Sequence, residues 1–372
     1  MLFTGVAAYG HLIPLAPFVA AALERGHPTA LVTAAEGAAI VADELAPGVE
    51  HLPVGLTPAG LAEEYRRRGG SAGSQDPARV IAETFGGVHL DTAAADAVAA
   101  ARGWGAEVVL SEAYDPVGGW VAAALGLRWF PVELAPVPPR FTALVRAAEH
   151  RRYAEHDLRR VRPTGALDPW PAVTGAGRWP RPTDVPVHPF RARPHRRPGP
   201  RRTTGPVNRY SSCPRVLVTL GTVFSDHPGT TSIAETLVVD GLEVVVAPAG
   251  AGAGANGDRT VSVRYSPFVP LDELLDGVDV VVGSGSAGTM LAALSRGVPL
   301  VLWPQGADHA TNTDWATRAG VAVGVRTVEE VSDAVRTVLD GTARPRAAAL
   351  AAAIADAPEP MEILDDVVAP PR

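Results

Sequence analysis

At 372 residues and 47% hydrophobic composition, the chain is long enough to form two domains with substantial cores. Its formal net charge of -7 argues against a nucleic-acid partner, because a phosphate-binding surface usually makes a protein basic. All 33 basic residues are arginine, which excludes lysine chemistry, and the single cysteine, Cys213, excludes an intrachain disulfide and favours a cytoplasmic protein. Neither a signal peptide nor a membrane-spanning segment is predicted.

The first half of the chain has the pattern of alternating strands and helices. A predicted strand over 1–7 leads into a loop that carries His11, and Pro14 suits the first turn of the next helix. Further elements are predicted as strands at 29–33, 107–111 and 128–132 and as a helix at 80–101. This alternation predicts a mostly parallel sheet covered by helices on both faces.

The composition changes at about residue 162. From there to 214, proline, arginine and glycine dominate without apolar periodicity, which predicts a solvated linker. A second α/β domain begins at 215. The expected organisation is an N-terminal Rossmann-like domain over 1–200 that ends in the linker, a C-terminal domain over 212–345, and helices over 346–372 that pack back on the N-terminal domain.

The most informative stretch is the βαβ unit from 280 to 309. Its glycines follow the pattern Gly283-x-Gly285-x-x-Gly288 at the turn where a predicted strand ends and a helix begins. The unpaired N–H groups and the dipole at the start of a helix favour binding of a phosphate group. Read literally, this is a dinucleotide fingerprint, but the next strand does not end in the acidic residue that a ribose needs. An NAD site, a purely structural turn and another nucleotide site are all compatible with these residues.

Candidate catalytic residues lie at the predicted carboxyl edge of the N-terminal sheet. His11 follows the first strand, and its imidazole suits a general base, although a helix-capping role is equally compatible. Glu112 follows a buried strand at the same edge and could orient the imidazole, with Asp115 as a competitor for that role. Either carboxylate could instead stabilise a helix N-terminus.

Further candidates follow the strand that ends at Trp303. Asp308 could accept hydrogen bonds from two sugar hydroxyls or cap the next helix. The chain has no Asp-x-Asp pair and no His-x-x-x-His motif, so a metal site is not predicted. In the first half, Trp120, Trp129 and Phe141 hint at a hydrophobic ligand, although such side chains are more often core.

Together these motifs resemble the GT-B glycosyltransferases, specifically the UDP-glucuronosyltransferase-like GT1 family that glycosylates antibiotics and other natural products in actinobacteria. The resemblance lies in Gly10-His11-Leu12-Ile13-Pro14, in 218–224 and, most specifically, in 285–312. The last region contains Pro304-Gln305-Gly306-Ala307-Asp308-His309-x-x-Asn312. The implied fold is α/β, with two Rossmann-like domains whose parallel sheets face a central cleft.

The resemblance implies an inverting, metal-independent transfer of a (deoxy)sugar from a dTDP- or UDP-sugar to a hydroxyl of a hydrophobic natural product, with no further cofactor. By resemblance, His11 is the general base and Glu112 stands where the family usually has an aspartate. The implied donor-binding residues are Thr222, Phe268, Val269, Ser284, Ser286, Ala287, Gly288, Thr289, Asp308 and His309. A second copy of the chain, as a homodimer, is a further candidate partner.

Three departures from the family pattern affect the interpretation: Asp308-His309 bears on the sugar preference, whereas Ser284 and a short acceptor half motivate an alternative function. Ser284 stands where the family commonly has a histidine that contacts the diphosphate, and Asp308-His309 replaces a frequent Asp-Gln pair. Little chain separates Pro139 from the predicted linker, which suggests a reduced acceptor region. The alternative is a catalytically weak nucleotide-binding homologue or an auxiliary partner of a glycosyltransferase.

Overall fold

The computed structural model describes residues 1–70, 76–136, 139–171, 184–199, 213–224, 226–248, 263–306 and 308–369. The chain divides into two compact units. The first contains the described residues within 1–169, 179–190 and 358–372, and the second contains those within 170–178 and 191–357. Each unit is built around its own sheet.

The first unit contains a seven-stranded parallel sheet in the order β3-β2-β1-β4-β5-β6-β7. Its strands are β1 (Leu2–Thr4), β2 (Ala30–Thr33), β3 (Glu50–Pro53), β4 (Val108–Glu112), β5 (Arg128–Val132), β6 (Ala166–Asp168) and β7 (Val187–Pro189). Its first eight helices are α1 (Tyr9–Leu12), α2 (Ala16–Glu24), α3 (Ala38–Glu44), α4 (Pro58–Arg67), α5 (Pro77–Glu83), α6 (His89–Trp104), α7 (Pro116–Leu125) and α8 (Pro139–Glu155).

The second unit contains a six-stranded parallel sheet in the order β10-β9-β8-β11-β12-β13. Its strands are β8 (Arg215–Thr219), β9 (Glu243–Val246), β10 (Val263–Tyr265), β11 (Val280–Gly283), β12 (Leu300–Leu302) and β13 (Ala322–Gly324). Its helices are α9 (Gly229–Val239), α10 (Leu271–Leu274), α11 (Ala287–Ser295), α12 (His309–Arg318), α13 (Val331–Asp340) and α14 (Ala343–Ala355). A last helix, α15 (Pro360–Val368), belongs to the first unit.

The central strands are apolar because both faces of each sheet are covered by helices. In β1 and β4 every residue is buried, as it is in β8 and β11. Helix α15 adds to the first core: Ile363, Leu364 and Val367 belong to the cluster that contains Phe18 and Val19 of α2. The end of the chain is therefore part of the first hydrophobic core.

The prediction of a linker from 162 to 214 is wrong for part of its length. Strands β6 and β7 lie within this stretch and extend the first sheet. Each has only three residues, too few to show alternation in the sequence, and Pro189 is tolerated because β7 lies at the edge. Residues 172–183 and 200–212 of the predicted linker lie outside the described residues.

The predicted helix at 80–101 is interrupted. A π-helical segment over Thr84–Val88 joins α5 to α6. Helix α8, which was not predicted, fills the stretch after Pro138 and packs against this segment. The approach is close at Gly86, where an added Cβ would lie 2.9 Å from the Val145 carbonyl oxygen.

Among the described residues, no helix has both the length and the hydrophobicity required to cross a bilayer.

Helix α7 lies directly on the sheet at Gly118, and this contact can be tested. An alanine Cβ at Gly118 would lie 2.4 Å from Ser111 Cβ and 2.7 Å from Thr4 Oγ1. We expect Gly118→Ala to lower the free energy of unfolding by about 1–3 kcal/mol through overpacking. The control, Gly103→Ala in α6, places its Cβ in open space and should raise stability by about 0.5–1 kcal/mol. Equal urea midpoints for the two variants would contradict this packing.

Candidate active site

His11 and Glu112 form a hydrogen-bonded pair at the carboxyl edge of the first sheet. The prediction that His11 lies on a loop is wrong in detail, since the residue belongs to the short helix α1 that follows β1. Glu112 ends β4, which pairs in parallel with β1 so that Thr4 lies opposite Ser111. His11 Nδ1 is 2.8 Å from Glu112 Oε1. The neutral ring, donating from Nδ1, carries its lone pair on Nε2.

The Glu112 carboxylate is fixed on both oxygens. Oε2 accepts a hydrogen bond from the Tyr114 backbone N–H at 2.7 Å, while Oε1 faces His11. The side chain of Glu112 is fully buried, whereas that of His11 is 23% exposed. This arrangement gives a buried acidic partner behind a solvent-accessible imidazole, which is the geometry that stabilises an imidazolium.

Asp115, the competing carboxylate, has other partners. Its Oδ1 accepts from the Val117 backbone N–H at 3.0 Å and so caps α7. The same oxygen is 3.1 Å from His89 Nε2. Of the two carboxylates, the structure therefore places Glu112 against His11.

Half-buried aromatic rings surround His11. Phe85, in the π-helical segment, is nearly parallel to the imidazole at a centroid distance of 6.1 Å. Tyr114 lies edge-on at 6.3 Å, and Phe141 of α8 contacts Tyr114 at 6.4 Å. No sequence motif marks Phe85 or Tyr114. Such surfaces suit a flat or apolar ligand.

Two of the aromatic residues noted in the sequence lie elsewhere. Trp120 is buried in the core, 4.7 Å from the Tyr153 ring. Trp129 donates from its indole nitrogen to Ser111 Oγ at 2.8 Å. Of the three, Phe141 is the residue that belongs to the aromatic group around His11.

In the second unit, the glycine-containing turn joins β11 to α11. Gly285 has φ +90°, and a Cβ there would lie 2.9 Å from both the His309 carbonyl oxygen and Thr313 Oγ1. Ser286 is the N-cap of α11, but its hydroxyl donates to Thr289 Oγ1 at 3.0 Å and makes no capping bond. The first N–H groups of α11 therefore have no side-chain cap, which suits an anionic group.

Ser284 lies within this turn but is buried. The residue is 1% exposed, and its Oγ has no hydrogen-bond partner among the described residues. The Ser284 hydroxyl is uncharged and therefore offers no positive charge to a ligand. The backbone N–H groups and helix dipole of α11 supply positive potential at this turn.

Asn312 connects the turn to the loop that precedes α12. Its Nδ2 donates to the Gly285 carbonyl oxygen at 2.9 Å and to Asp308 Oδ2 at 2.7 Å. Asp308 is the N-cap of α12, yet its carboxylate makes no capping bond. Asn312 belongs to the motif over 285–312, but the sequence did not predict its role in this bridge.

His309 is buried beside this loop. Its ring lies 5.7 Å from Phe224, and its Nδ1 accepts from the Gln305 backbone N–H at 3.4 Å. Burial lowers the pKa of His309 below its usual value, and the nearby Asp308 carboxylate partly opposes that shift. The imidazole is therefore neutral near pH 7.

The remaining predicted donor residues lie on the loops that follow β8 and β10. Thr222 is exposed after β8, next to Gly221 with φ +82°. Phe268 and Val269 are half-buried after β10, and the Arg197 guanidinium lies 5.5 Å from the Phe268 ring centroid. Arg197 comes from the stretch predicted to be linker. Across the parts of the chain that the structure describes, no three His, Cys, Asp or Glu side chains form a metal-type group.

Comparisons with known proteins identify relatives of both units. A family model described as the C-terminal domain of erythromycin biosynthesis protein CIII-like proteins matches residues 224–369. L-demethylnoviosyl transferase of Streptomyces niveus is 27% identical over 353 residues, which is 87% of this chain and 84% of that protein. Demethyllactenocin mycarosyltransferase of Streptomyces fradiae is 34% identical over 94 residues, which cover 25% of this chain and 20% of that protein.

Solved structures establish the fold. The glycosyltransferase SsfS6 of Streptomyces sp. SF2575, complexed with thymidine diphosphate, has a TM-score of 0.79 at 24% identity and covers 98% of both chains. Spinosyn rhamnosyltransferase SpnG, also solved with spinosyn aglycone, has a TM-score of 0.80 at 21% identity over 98% of this chain and 99% of that one. The fold is GT-B.

The two hydrogen bonds donated by Asn312 predict that removal of its side-chain amide lowers the stability of the protein. We expect Asn312→Ala to lower the free energy of unfolding by about 1–3 kcal/mol, because the Gly285 carbonyl oxygen loses its donor. Thr317→Ala, at an exposed position on the same helix, is the control and should change stability by less than about 0.5 kcal/mol. Urea denaturation measures both, and equal effects would show that the bridge contributes nothing.

The lowered pKa of His309 predicts a pH dependence of stability. Above about pH 6.5 the residue is neutral in both the folded and unfolded chain. As the pH falls through that value, the unfolded chain binds a proton that the buried ring does not, so stability falls until the lower folded pKa is reached. We expect His309→Gln to show a smaller loss of unfolding free energy between pH 7 and pH 5.5 than the wild type. The exposed-site variant His150→Gln should behave as wild type, and an unchanged slope in His309→Gln would contradict the prediction.

Proposed function

We propose that the chain is an actinobacterial GT1 natural-product glycosyltransferase, which transfers a sugar from a dTDP- or UDP-sugar to a hydroxyl of a hydrophobic natural product. The proposed reaction inverts the anomeric centre and uses no metal ion or other cofactor. The observation that carries this proposal is the pairing of a partly exposed His11 with a buried Glu112.

In the proposed reaction, His11 Nε2 takes the proton of the acceptor hydroxyl while the acceptor oxygen attacks the anomeric carbon. The bond from that carbon to the diphosphate oxygen breaks, and the nucleoside diphosphate leaves with the bonding electron pair. A single displacement inverts the configuration. Glu112 holds the ring through Nδ1–H and stabilises the imidazolium as it forms.

The donor is proposed to bind to the second unit. The uncapped N–H groups at the start of α11 and the hydroxyls of Ser286 and Thr289 suit its diphosphate. The half-buried Phe268 and the backbone at Val269 are proposed to contact the nucleoside base. Asp308 keeps an oxygen for a sugar hydroxyl beyond its bond to Asn312. The thymidine diphosphate complex of SsfS6 supports this class of donor.

The acceptor is proposed to lie against the aromatic rings around His11. Phe85, Tyr114 and Phe141 offer apolar faces next to the imidazole. A hydrophobic acceptor placed there would bring a hydroxyl within reach of the base. The SpnG structure with an aglycone shows that a protein of this fold binds such a molecule.

A second candidate function is nucleotide binding without efficient transfer. It is motivated by Ser284, whose buried and unpartnered hydroxyl replaces the histidine common in the family. This candidate predicts that the protein binds dTDP or UDP but transfers no sugar to any member of an acceptor panel. Transfer by the purified protein alone would exclude it.

The proposal predicts that His11→Ala lowers kcat by about 10²- to 10⁴-fold while nucleotide affinity is unchanged, because the base is lost and the donor site is intact. A thermal-shift screen of sugar nucleotides identifies the donor, mass spectrometry of product measures transfer, and calorimetry measures dTDP or UDP affinity. His27→Ala, in the turn that precedes β2, is the control and should keep wild-type turnover. Full turnover in His11→Ala would rule out His11 as the base.

A further inference from the structure

A second histidine–carboxylate pair lies next to the first. His89 Nε2 is 3.1 Å from Asp115 Oδ1, and both side chains are buried. The carboxylates of both pairs lie in the short connection between β4 and α7, since Glu112 ends β4 and Asp115 caps α7. The proposed reaction leaves the second pair without a role.

Asp115 helps to shape the connection that carries Glu112. Its backbone N–H donates to the Glu112 carbonyl oxygen at 3.0 Å, and its side chain holds the Val117 N–H. The Tyr114 N–H between them donates to the Glu112 carboxylate. The position of the Asp115 carboxylate therefore affects the position of the carboxylate that holds His11.

His89 is also connected to the other side of His11. It is the first residue of α6 and directly follows the π-helical segment that contains Phe85. Phe85 lies nearly parallel to the His11 ring. Insertions of this π-helical type often occur at functional sites. One hydrogen bond from His89 thus joins the two segments that contact His11.

Packing alone is a poor explanation for a histidine at this place. His89 Nδ1 and Thr33 Oγ1 are buried without a hydrogen-bond partner among the described residues. Both residues line a cavity of about 10 Å³ together with Gly5 and Val54. An apolar side chain could fill the same volume without a polar atom to satisfy, so the volume alone does not require a histidine.

We infer that His89 and Asp115 form a positioning pair, which holds the Glu112 carboxylate and the Phe85 ring in place around His11. The pair touches no substrate in this account and acts through the residues that do. The inference rests on the proposed role of His11 as the base. It predicts that loss of the hydrogen bond lowers the rate of transfer without weakening the donor site in the other unit.

Two substitutions of His89 by side chains of similar size distinguish a positioning role from a packing role, and a substitution of Asp115 tests its partner. His89→Gln keeps an N–H donor near the place of Nε2, whereas His89→Leu fills the volume without a donor. Asp115→Ser keeps an oxygen that can cap α7 but is too short for His89. We expect His89→Leu and Asp115→Ser to lower kcat by ~10- to 100-fold with an unchanged KM for the sugar nucleotide, and His89→Gln to recover most of that loss.

The double variant tests whether the two residues act as one unit. If they do, His89→Leu combined with Asp115→Ser should lower kcat no further than either change alone. The substrates are the sugar nucleotide that gives the largest thermal shift and an acceptor that wild type glycosylates. Equal kcat values for His89→Gln and His89→Leu, or additive losses in the double variant, would overturn the inference.

Hydrogen exchange gives a readout that needs no substrate. The Tyr114 amide, which donates to Glu112, should exchange ~10-fold faster in His89→Leu than in wild type or His89→Gln. The Ala30 amide, which donates to the Met1 carbonyl oxygen in the same unit, is the control for global stability. Unchanged Tyr114 exchange in His89→Leu would overturn the inference. Retained turnover in His11→Ala would instead rule out His11 as the base, which is the part of the proposed function on which this inference rests.

Discussion

The hydrogen bond between His11 and Glu112 joins residues 101 positions apart, and much of the first unit serves to hold it. Strands β1 and β4 are neighbours in a parallel sheet, so their carboxyl ends bring the two side chains to one edge. The buried carboxylate cannot be solvated by water and is stabilised instead by the imidazole and the Tyr114 N–H. A buried carboxylate thus orients a partly exposed imidazole.

The second unit meets a different requirement with a similar sheet. Its turn between β11 and α11 is the proposed diphosphate site, and Gly285 adopts the required backbone conformation because glycine tolerates its φ of +90°. Asn312 then fixes the Gly285 carbonyl oxygen and the Asp308 carboxylate at once. Ser284 is buried and uncharged, whereas the N-terminus of α11 supplies a positive helix dipole at this turn. The proposed base therefore lies at the sheet edge of the first unit, and the proposed diphosphate site lies at the β11–α11 turn of the second unit.

Features with strong local signals could be predicted from the sequence. The strand-helix alternation, the βαβ unit over 280–309 and the edge position of His11 all follow from apolar runs, small residues and parallel-sheet geometry. The GT-B fold expected from the motifs is confirmed by SsfS6 and SpnG. The choice between Glu112 and Asp115 could not be made, because both lie at the same strand end within three residues.

Features that depend on tertiary packing were missed. Strands β6 and β7 are too short to show a period, and the proline-rich composition around them resembles a linker. The π-helical segment has no sequence signature, so the contact of Phe85 with His11 was not foreseen. The partnership of His89 with Asp115 is likewise set by how α6 packs on the sheet. Such residues carry no motif, although they lie next to those that do.

We infer that Glu112 fixes His11 with its proton on Nδ1, so that the lone pair of the neutral ring is on Nε2. The most direct measurement is the ¹⁵N shift of the two His11 ring nitrogens in histidine-labelled protein, assigned by the loss of signals in His11→Gln. The account predicts that the neutral ring carries its proton on Nδ1 in wild type and populates both tautomers in Glu112→Leu. A wild-type ring protonated on Nε2, or a ring unaffected by Glu112→Leu, would contradict it.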